Sequence, residues 1–413
     1  MKILIINTHD ISGGAARAAY RLHQALLEAG VESRMLVQSK KSADETVIGR
    51  KSITIAQKAV GIVRPQLDGL PTRIYNHKTK TLFSPSWVPM SSVIRGIENF
   101  DPDVVHLHWI CGGMMSIEDI GKIKKPIVWS LHDMWAFTGG CHYDKECGKY
   151  VTSCGSCSVL GSKKEYDLSR HVFLRKQKAF ADMDNIIIIG LSRWLADCAQ
   201  KSALFASKRV LNLPNPIDTR IFAPIKKQEA RMVLNLPMDK KIILYGAMSA
   251  TSDPRKGYNE LIKALRMIPQ DSDTELLVFG SSGSDNTLDC NFKIHYLGNI
   301  HEDLLPSLYS AADVMVVPSL QENLSNAIME SLACGTPVIA FAIGGNGDLI
   351  DHKLNGYLAE PFSSADLAEG ISCVLNSAHP ELLAQNAREK VLRCFDRKVV
   401  AKKYIELYKS VIR

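Results

Sequence analysis

Short apolar runs alternate with amphipathic stretches along the whole chain. Residues 2–7 form the first run, and after a Gly-Gly turn the apolar positions over 15–29 repeat with the period of an α-helix until Gly30. Further apolar runs of strand length follow at 104–108, 126–132, 185–192 and 209–213. Runs rich in Ile and Val that are apolar on both faces are typical of buried parallel strands, so this half of the chain predicts an α/β sheet.

The same alternation starts again after residue 213. Strands are predicted at 241–246, 275–280, 294–297, 314–318 and 337–341. Helices are predicted between or after these strands, at 258–268, 303–312, 325–333 and 365–375. The predicted fold class is therefore α/β, with two Rossmann-like, doubly wound parallel-sheet domains.

Proline residues mark the boundary between these domains. Pro214, Pro216 and Pro224, with the charged stretch 226–231, predict a hinge, because proline fits neither a helix interior nor a strand ladder.

The domains are therefore predicted at 1–215 and 216–395, followed by a helix within 396–413 that could pack back on the N-terminal domain. Residues 40–100 are the least regular part, since four prolines interrupt a mix of basic and aromatic residues. This segment predicts a surface excursion, with acceptor gripping or membrane contact as the alternative role.

Composition and charge fit an ordinary globular protein of two or three domains. Of the 413 residues, 46% are hydrophobic and 23% are charged, which excludes a disordered chain. The net charge of +7 is too small to indicate nucleic-acid binding. No apolar run reaches the roughly 18–20 residues of a membrane span, and residues 1–7 are too short for the apolar part of a signal peptide. We therefore expect a cytoplasmic protein that could still touch the inner face of the membrane.

The chain has ten cysteines, although a cytoplasmic protein is not expected to carry a disulfide framework. Six lie in apolar or helical contexts and are predicted core residues: Cys111, Cys198, Cys290, Cys334, Cys373 and Cys394. The other four share one loop with His142, in the pattern C-x5-C-x6-C-x2-C: Cys141, Cys147, Cys154 and Cys157. Four soft ligands suit tetrahedral zinc, so a structural zinc site is the hypothesis, with labile disulfides and free thiols as alternatives.

Candidate functional residues lie in loops expected at the carboxyl ends of strands, where open α/β sheets bind ligands and where two such sheets would face each other across a cleft. Gly13-Gly14 could let backbone N–H groups approach an anion, although a plain turn explains the pair as well. The tract is not the G-x-G-x-x-G fingerprint, which argues against a dehydrogenase. His132 ends a predicted strand, a position typical of catalytic groups, with a structural His as the alternative.

Charged residues follow two predicted strands of the second half. Arg255 and Lys256 precede a helix and could neutralise a diphosphate, with solvated surface cations as the alternative. Glu322 precedes the helix at 325–333 and Glu330 lies within it, about two helical turns further on. Because a carboxylate can accept hydrogen bonds from two neighbouring hydroxyls, this spacing suits two sugar units of one ligand better than an acid/base couple across one bond.

Together these residues resemble glycosyltransferase family 4, a group of retaining, nucleotide-sugar-dependent enzymes with the two-sheet GT-B fold. The resemblance is dense over 240–360, through Arg-Lys-Gly at 255–257, the E-x7-E spacing of Glu322 and Glu330, the tract ESLACGTPVIA that begins at Glu330, Gly344-Gly345, and Asn355-Gly356-Tyr357. The first half resembles the family more loosely, through Gly13-Gly14, His132, Ser192 before Trp194, and Asn215 to Asp218.

The resemblance implies roles for the candidate residues. Catalytic roles are implied for His132, Lys256 and Glu322. Contacts to the sugar donor are implied for Gly13, Gly14, Arg255, Lys256, Glu322, Asn323, Leu324 and Glu330. Lys256, helped by Arg255, would hold the phosphates. Glu322 would bind the donor sugar and Glu330 the ribose hydroxyls. Since cations aimed at the leaving diphosphate lower the barrier directly, no catalytic metal is expected.

Two tracts depart from the family pattern. Ala247 stands where members commonly carry an Arg, so Arg255 would substitute for it. The tract 323–326 replaces the commoner Gly-Phe-Gly, which leaves the identity of the sugar open. The cysteine loop resembles that of an exopolysaccharide-building, colanic-acid-type subset of the family.

The predicted function is a retaining glycosyltransferase that moves a sugar from a nucleoside diphosphate to a glycan or lipid-linked acceptor in bacterial surface polysaccharide biosynthesis, with no nucleic-acid partner. A nucleotide-sugar epimerase of the same fold is one alternative, and it would need no acceptor. A non-catalytic glycan-binding protein is the other, and it would not need both the cation pair and the two glutamates.

Overall fold

The chain folds into two compact units, of which the first comprises Met1–Pro216 with Val400–Arg413 and the second Ile217–Val399. They are seen in a computed structural model that describes residues 1–49, 63–246, 253–269, 273–280 and 292–412. The predicted domain limits at 215 and 395 lie close to these divisions. In the described part of the chain, no helix has both the length and the apolar character needed to span a bilayer.

A parallel sheet forms the centre of the first unit. Its described strands are β1 (Lys2–His9), β2 (Glu32–Ser39), β3 (Val47–Gly49), β4 (Val104–Leu107), β5 (Ile127–Leu131), β6 (Ile186–Gly190) and β7 (Arg209–Asn212). They lie in the order β3-β2-β1-β4-β5-β6-β7 and every pair is parallel. The direction in which strands are added therefore reverses between β1 and β4.

Helices cover both faces of this sheet. They are α1 (Gly14–Glu28), α2 (Ser91–Phe100), α3 (Ile117–Gly121), α4 (Leu168–Phe180), α5 (Arg193–Lys201) and the last helix of the chain, Arg397–Ile412. Successive residues of β1 belong to different cores: Ile3 and Ile5 pack with Tyr404 and Tyr408 of the last helix, whereas Leu4 and Ile6 pack on the opposite face with Trp129. This alternation buries both faces, as the apolar strand runs predicted.

The second unit repeats the plan with six described strands. They are β8 (Lys241–Gly246), β9 (Thr274–Phe279), β10 (Lys293–Tyr296), β11 (Val314–Val317), β12 (Val338–Phe341) and β13 (Gly356–Ala359). All pairs are parallel and the order is β10-β9-β8-β11-β12-β13, so the direction reverses between β8 and β11. Its helices are Lys227–Val233, Tyr258–Met267, Leu305–Ala311, Asn326–Ala333, Asn346–Leu349, Ser364–Leu375 and Pro380–Cys394. The predicted fold class of two doubly wound parallel sheets is confirmed.

One local prediction was wrong. The charged stretch 226–231, interpreted as part of a hinge, lies largely in the helix Lys227–Val233. Arg231 in this helix is buried and donates hydrogen bonds to the Asp313 carboxylate at 2.9 Å and to the Ala311 carbonyl at 3.0 Å. The stretch therefore belongs to the second unit, where the ion pair of Arg231 with Asp313 anchors it.

Candidate functional site

The loops that follow β8 and β11 carry the charged candidates of the second unit. In an open α/β sheet, ligands bind outside the carboxyl ends of the strands where the strand order reverses. In this sheet, that point lies between β8 and β11. Asp253 to Gly257 belong to the first loop and Pro318 to Ser325 to the second. Ala247 and Ser252, which also follow β8, lie outside the described residues.

Lys256 and Glu322 meet at this point. The Lys256 Nζ lies 3.3 Å from the Glu322 Oε2. Their side chains keep 28% and 14% of their surface exposed, so a ligand can reach both. The pair joins a cation that can bind a phosphate to a carboxylate that can accept hydrogen bonds from hydroxyls.

Backbone contacts hold the two loops together. The Leu320 N–H donates to the Arg255 carbonyl at 2.8 Å. Gly257 has a φ of 71°, and a Cβ at this position would lie 1.7 Å from the Pro318 carbonyl oxygen. Only glycine permits both this conformation and this approach. The close contact between the two loops therefore requires a glycine directly after Lys256.

Arg255 is engaged by a neighbour. Its Nη2 lies 2.7 Å and its Nε 3.1 Å from the Asp253 carboxylate oxygens, in a two-pronged ion pair. The Asp253 carboxylate also accepts the Arg255 backbone N–H, which starts the short 3₁₀ turn Pro254–Lys256. A phosphate would therefore have to compete with the Asp253 carboxylate for the Arg255 guanidinium.

The remaining candidates of the second unit are buried. Glu330 lies in the helix Asn326–Ala333, is 4% exposed and accepts a hydrogen bond from the Tyr309 hydroxyl at 2.9 Å. Asn323 and Leu324 are buried in the preceding loop. Ser325 caps the helix by accepting the Ile328 N–H. This cap fixes where the helix begins, and hence that Glu322 lies in the loop while Glu330 lies in the helix.

In the first unit, Gly13 and Gly14 follow β1 at the equivalent reversal of strand order. Gly13 has a φ of 94°, which glycine adopts readily, and α1 begins at Gly14 without a side-chain cap. Asp10 is fully buried, and its carboxylate accepts the backbone N–H groups of Lys41 and Ser42. These bonds hold the loop after β1 against the loop after β2.

His132 follows β5 directly and belongs to a set of three imidazoles. Its Nε2 lies 2.9 Å from the Nδ1 of His108, the residue after β4. Burial lowers the pKa of His132 to about 4, so the ring is neutral near pH 7. A neutral imidazole can donate or accept a hydrogen bond without carrying a charge.

His106 continues the set beneath His108. The centroids of the two rings lie 4.4 Å apart. The His106 nitrogens form hydrogen bonds with the Tyr408 hydroxyl at 2.7 Å and with the Ser130 hydroxyl at 2.8 Å. Our sequence reasoning missed both histidines. The signal was present, because residues two apart in a strand share a face, and the run Val104 to His108 places two imidazoles on one side.

Asp133 organises the loop after His132. Its Oδ2 lies 2.6 Å from the His142 Nδ1 and accepts the Trp109 indole N–H at 3.0 Å. Burial opposes ionisation of Asp133, but the contacts with His142, the hydrogen bond from the Trp135 backbone N–H and the nearby His132 together outweigh it, so the pKa of this carboxyl stays below its usual value. The fully buried Lys176 donates to the Trp135 and Thr138 carbonyls of the same loop.

The four cysteines of the loop 141–157 do not assemble into a metal-ligand set. Within the described ranges, no three His, Cys, Asp or Glu side chains form a group that could hold a metal ion. Cys147 is exposed while the other three are buried, and burial raises the pKa of the Cys154 thiol to about 12. The His142 nitrogens are bonded to Asp133 and Ser84. Structural zinc stays a prediction, which metal analysis of protein purified without chelators would test.

A cavity of ≈ 760 Å³ in the second unit does not coincide with these candidates. It lies at the amino ends of the strands, beside Lys241, Asp313 and Pro337. The Lys256–Glu322 pair lies at the opposite edge of the sheet, where open α/β folds place their ligands.

Two family profiles match the sequence. Residues 12–220 match the profile described as Glycosyltransferase Family 4, and this match alone spans more than half of the chain. Residues 226–390 match the profile of glycosyl transferases group 1.

Curated relatives carry glycosyltransferase names. A D-inositol 3-phosphate glycosyltransferase of Mycolicibacterium smegmatis is 24% identical over 88% of this chain and 79% of that protein. An uncharacterized glycosyltransferase of Methanocaldococcus jannaschii is 29% identical over 45% of this chain, and the match spans 48% of that relative. N,N'-diacetylbacillosaminyl-diphospho-undecaprenol alpha-1,3-N-acetylgalactosaminyltransferase of Campylobacter jejuni is 29% identical over 48% of this chain and 53% of its own length.

Solved structures share the fold over the whole chain. Sucrose-phosphate synthase from Thermosynechococcus elongatus superposes with a TM-score of 0.69 at 20% identity, covering 99% of this chain and 98% of that one. HepE of Anabaena in complex with UDP gives a TM-score of 0.67 at 16% identity, over 99% and 100% of the two chains. These likenesses identify the fold as GT-B.

Proposed function

The chain belongs to glycosyltransferase family 4, and we propose that it transfers a sugar from a nucleoside diphosphate sugar to a glycan or lipid-linked acceptor, with retention at the anomeric carbon. That it is a glycosyltransferase follows from the family. The donor class, the stereochemistry and the acceptor class are our proposal.

The contact between Lys256 and Glu322 at the strand-order reversal carries this proposal. Negative charge grows on the diphosphate as the bond to the sugar breaks, and a preorganised cation at that place stabilises the transition state. Glu322 positions the ammonium group at 3.3 Å and offers carboxylate oxygens to sugar hydroxyls. Both requirements of a sugar diphosphate, a cation and a hydroxyl acceptor, are thus met by adjacent side chains.

Other residues extend the proposed donor site. Glu330 would accept hydrogen bonds from the ribose hydroxyls. The hydrogen bond from the Tyr309 hydroxyl holds the Glu330 carboxylate in place. Arg255 would assist Lys256 once a donor phosphate replaces the Asp253 carboxylate as the partner of its guanidinium. Because these cations would neutralise the diphosphate, we expect transfer to continue in the presence of a metal chelator. The roles that family membership implies for Gly14, at the diphosphate, and for His132, at the donor sugar, stay predictions.

We infer a front-face displacement, since the described residues include no carboxylate with an evident role as covalent nucleophile. In this reaction the bond between the anomeric carbon and the diphosphate oxygen breaks, and a bond to the acceptor oxygen forms on the same face. The acceptor's proton passes to the departing phosphate oxygen. The protein's part is then to position both substrates and to stabilise the diphosphate charge.

The acceptor is proposed to be a growing surface polysaccharide on a lipid carrier. The name of the Campylobacter relative includes an undecaprenol diphosphate acceptor, and the cysteine loop resembles that of exopolysaccharide-building members. Such an acceptor would place the protein at the inner face of the cytoplasmic membrane.

Replacing one carboxylate tests the proposal. Glu322→Gln keeps the size of the side chain but removes the charge that orients Lys256, and we expect transfer to fall by about 10²–10³-fold, as when a transition-state contact is lost. Transfer would be measured with a panel of nucleoside diphosphate sugars and a lipid-linked acceptor. Melting temperature should hardly change, because Glu322 is only partly buried.

Glu360→Gln is the matched control, because Glu360 is exposed in the same unit. It should leave transfer at the wild-type rate. Near-normal transfer by Glu322→Gln would refute the role of this carboxylate, and an isomerised sugar from donor alone would identify an epimerase.

A further inference from the structure

A helical segment of the first unit turns its apolar side chains outward. Residues 63–69 are helical and continue into the short 3₁₀ helix Leu70–Ile74. Four apolar residues at spacings of four, three and four form what we call the outer stripe: Val63, Leu67, Leu70 and Ile74. Their exposed fractions are 46%, 41%, 46% and 77%. An ordinary surface helix presents the opposite arrangement, with apolar side chains inward.

The inner side of the same segment is polar. Asp68 and Thr72 are buried, and Arg64 is half-buried. The Arg64 guanidinium donates to the Gly113 carbonyl at 2.7 Å, and the Asp68 carboxylate accepts the Trp87 N–H at 3.1 Å. Hydrogen bonds therefore hold this segment on the unit, so the outer stripe is not needed for attachment and remains available to a partner.

Trp87 extends the outer stripe. Its indole N–H donates to the Leu67 carbonyl at 3.1 Å, so the ring lies beside the stripe, and 43% of the residue is exposed. Tryptophan is enriched where a protein meets the headgroup region of a bilayer, because its ring is apolar and its N–H is polar.

Exposed cations lie within and shortly after the outer stripe along the chain. Arg73, Lys78 and Lys80 are exposed, and the one acidic residue between positions 63 and 90 is the buried Asp68. Exposed apolar side chains beside cations match the chemistry of anionic lipid headgroups over acyl chains. A twofold dimer through this surface would instead bring each cation close to its own copy, which is unfavourable.

We propose that the outer stripe and Trp87, with the cations beside them, dock the first unit on an anionic membrane surface. This docking rests on the proposed function, because a lipid-linked acceptor is reached only at a membrane. It goes beyond that function by naming the residues that make the contact and the charge of the lipid they select.

Vesicle binding by the full chain tests the docking. Wild-type protein should co-sediment with vesicles of phosphatidylcholine containing phosphatidylglycerol and much less with phosphatidylcholine alone. The double variant Leu70→Gln, Ile74→Gln should bind the anionic vesicles at least about tenfold more weakly, because two apolar side chains no longer enter the bilayer. Replacing Lys78 or Lys80 by Gln should weaken binding about fivefold each, in a salt-dependent way.

The matched control is Ile221→Gln with Leu354→Gln, since both residues are 59% exposed but lie in the second unit. This control should bind like wild type. Equal binding of wild type to neutral and anionic vesicles, or unchanged binding by the stripe variant, would overturn the docking. So would a wild-type dimer in lipid-free buffer that the stripe variant converts to monomer, because the stripe would then join two copies.

Donor hydrolysis without lipid separates this test from that of the function. A stripe variant that loses vesicle binding but hydrolyses nucleoside diphosphate sugar like wild type supports the docking. A wild-type protein that neither hydrolyses nor transfers any donor contradicts the proposed function, whatever the vesicles show.

Discussion

Gly257 lies where the turn that carries Lys256 meets the loop that carries Glu322. Its backbone has a φ of 71°, and the Pro318 carbonyl occupies the place of a Cβ. The adjoining Arg255 carbonyl accepts the Leu320 N–H. The geometry of the charged pair thus depends on a residue that has no side chain.

We expect Gly257→Ala to lower the free energy of unfolding by about 2–5 kcal/mol, since the left-handed conformation costs roughly 1–2 kcal/mol and overpacking roughly 1–3 kcal/mol. The backbone would have to move away from Pro318, and Lys256 would move with it. Urea unfolding and donor binding by calorimetry check the two effects.

Gly347→Ala is the comparison, because a Cβ there meets no atom within 4 Å. This variant lies in the short helix Asn346–Leu349 and should match or slightly exceed wild-type stability. Equal stability of the two alanine variants would contradict the role of the Pro318 contact.

Sequence alone could place Lys256 and Glu322 near each other, because both follow strands whose carboxyl ends share an edge. It could not predict that the Asp253 carboxylate pairs with the Arg255 guanidinium, since that ion pair depends on how the turn folds back. Nor did it predict the contact between Glu330 and Tyr309, because these residues lie in two different helices that only the tertiary fold brings together.

At the scale of elements, the last helix completes the first unit from the far end of the chain. Tyr404 and Tyr408 pack against β1 and donate or accept hydrogen bonds at Ser130 and His106 beneath His132. The helical period could be predicted from the sequence. The buried partners of this helix could not be predicted, because residues 106 and 408 are brought together only by the tertiary fold.

The strands missed by sequence reasoning show the same limit. β2 alternates buried with partly exposed residues, β3 has three residues, and β13 begins with a glycine. These strands at or next to sheet edges lack the continuous apolar run that marks the central ones. The pattern therefore missed strands whose apolar run is short or interrupted, although it predicted the two other edge strands, β7 and β10.

Removing one hydroxyl tests the contribution of the last helix. Tyr408→Phe would leave the buried His106 Nδ1 without its partner at 2.7 Å, and we expect a loss of about 1–3 kcal/mol in stability. Tyr166→Phe is the control, because Tyr166 is 70% exposed in the same unit. Chemical denaturation of both variants at pH 7 gives the comparison, and indistinguishable stabilities would show that the hydroxyl contributes nothing.

At the scale of the whole molecule, buried histidines make one unit sensitive to acid. Burial lowers the pKa of His23 and of His132 to about 4 and that of His106 to about 3. All three lie in the first unit. In the second unit, burial opposes ionisation of Asp218, but hydrogen bonds from Arg220 and Arg397 hold the pKa of that carboxyl well below its usual range.

These shifts act in different pH windows. Below about pH 6.5 an unfolded chain protonates its histidines, whereas the folded first unit keeps these three neutral until about pH 4. The unfolded state then binds more protons, so stability falls as the pH drops, by about 1.4 kcal/mol per pH unit for each histidine. Asp218 stabilises the second unit until the pH falls below the ordinary value of an aspartate, near 4.

Between pH 6.5 and 4.5 we therefore expect the first unit to lose stability while the second keeps it. Native-state hydrogen exchange, read separately for peptides of each unit at pH 6.5, 5.5 and 4.5, measures this directly. Replacing His23 by Gln removes one of the three contributions, so the first unit should show a shallower pH dependence in that variant. A parallel decline of both units, or an unchanged slope in the His23 variant, would contradict the assignment of acid sensitivity to these buried imidazoles.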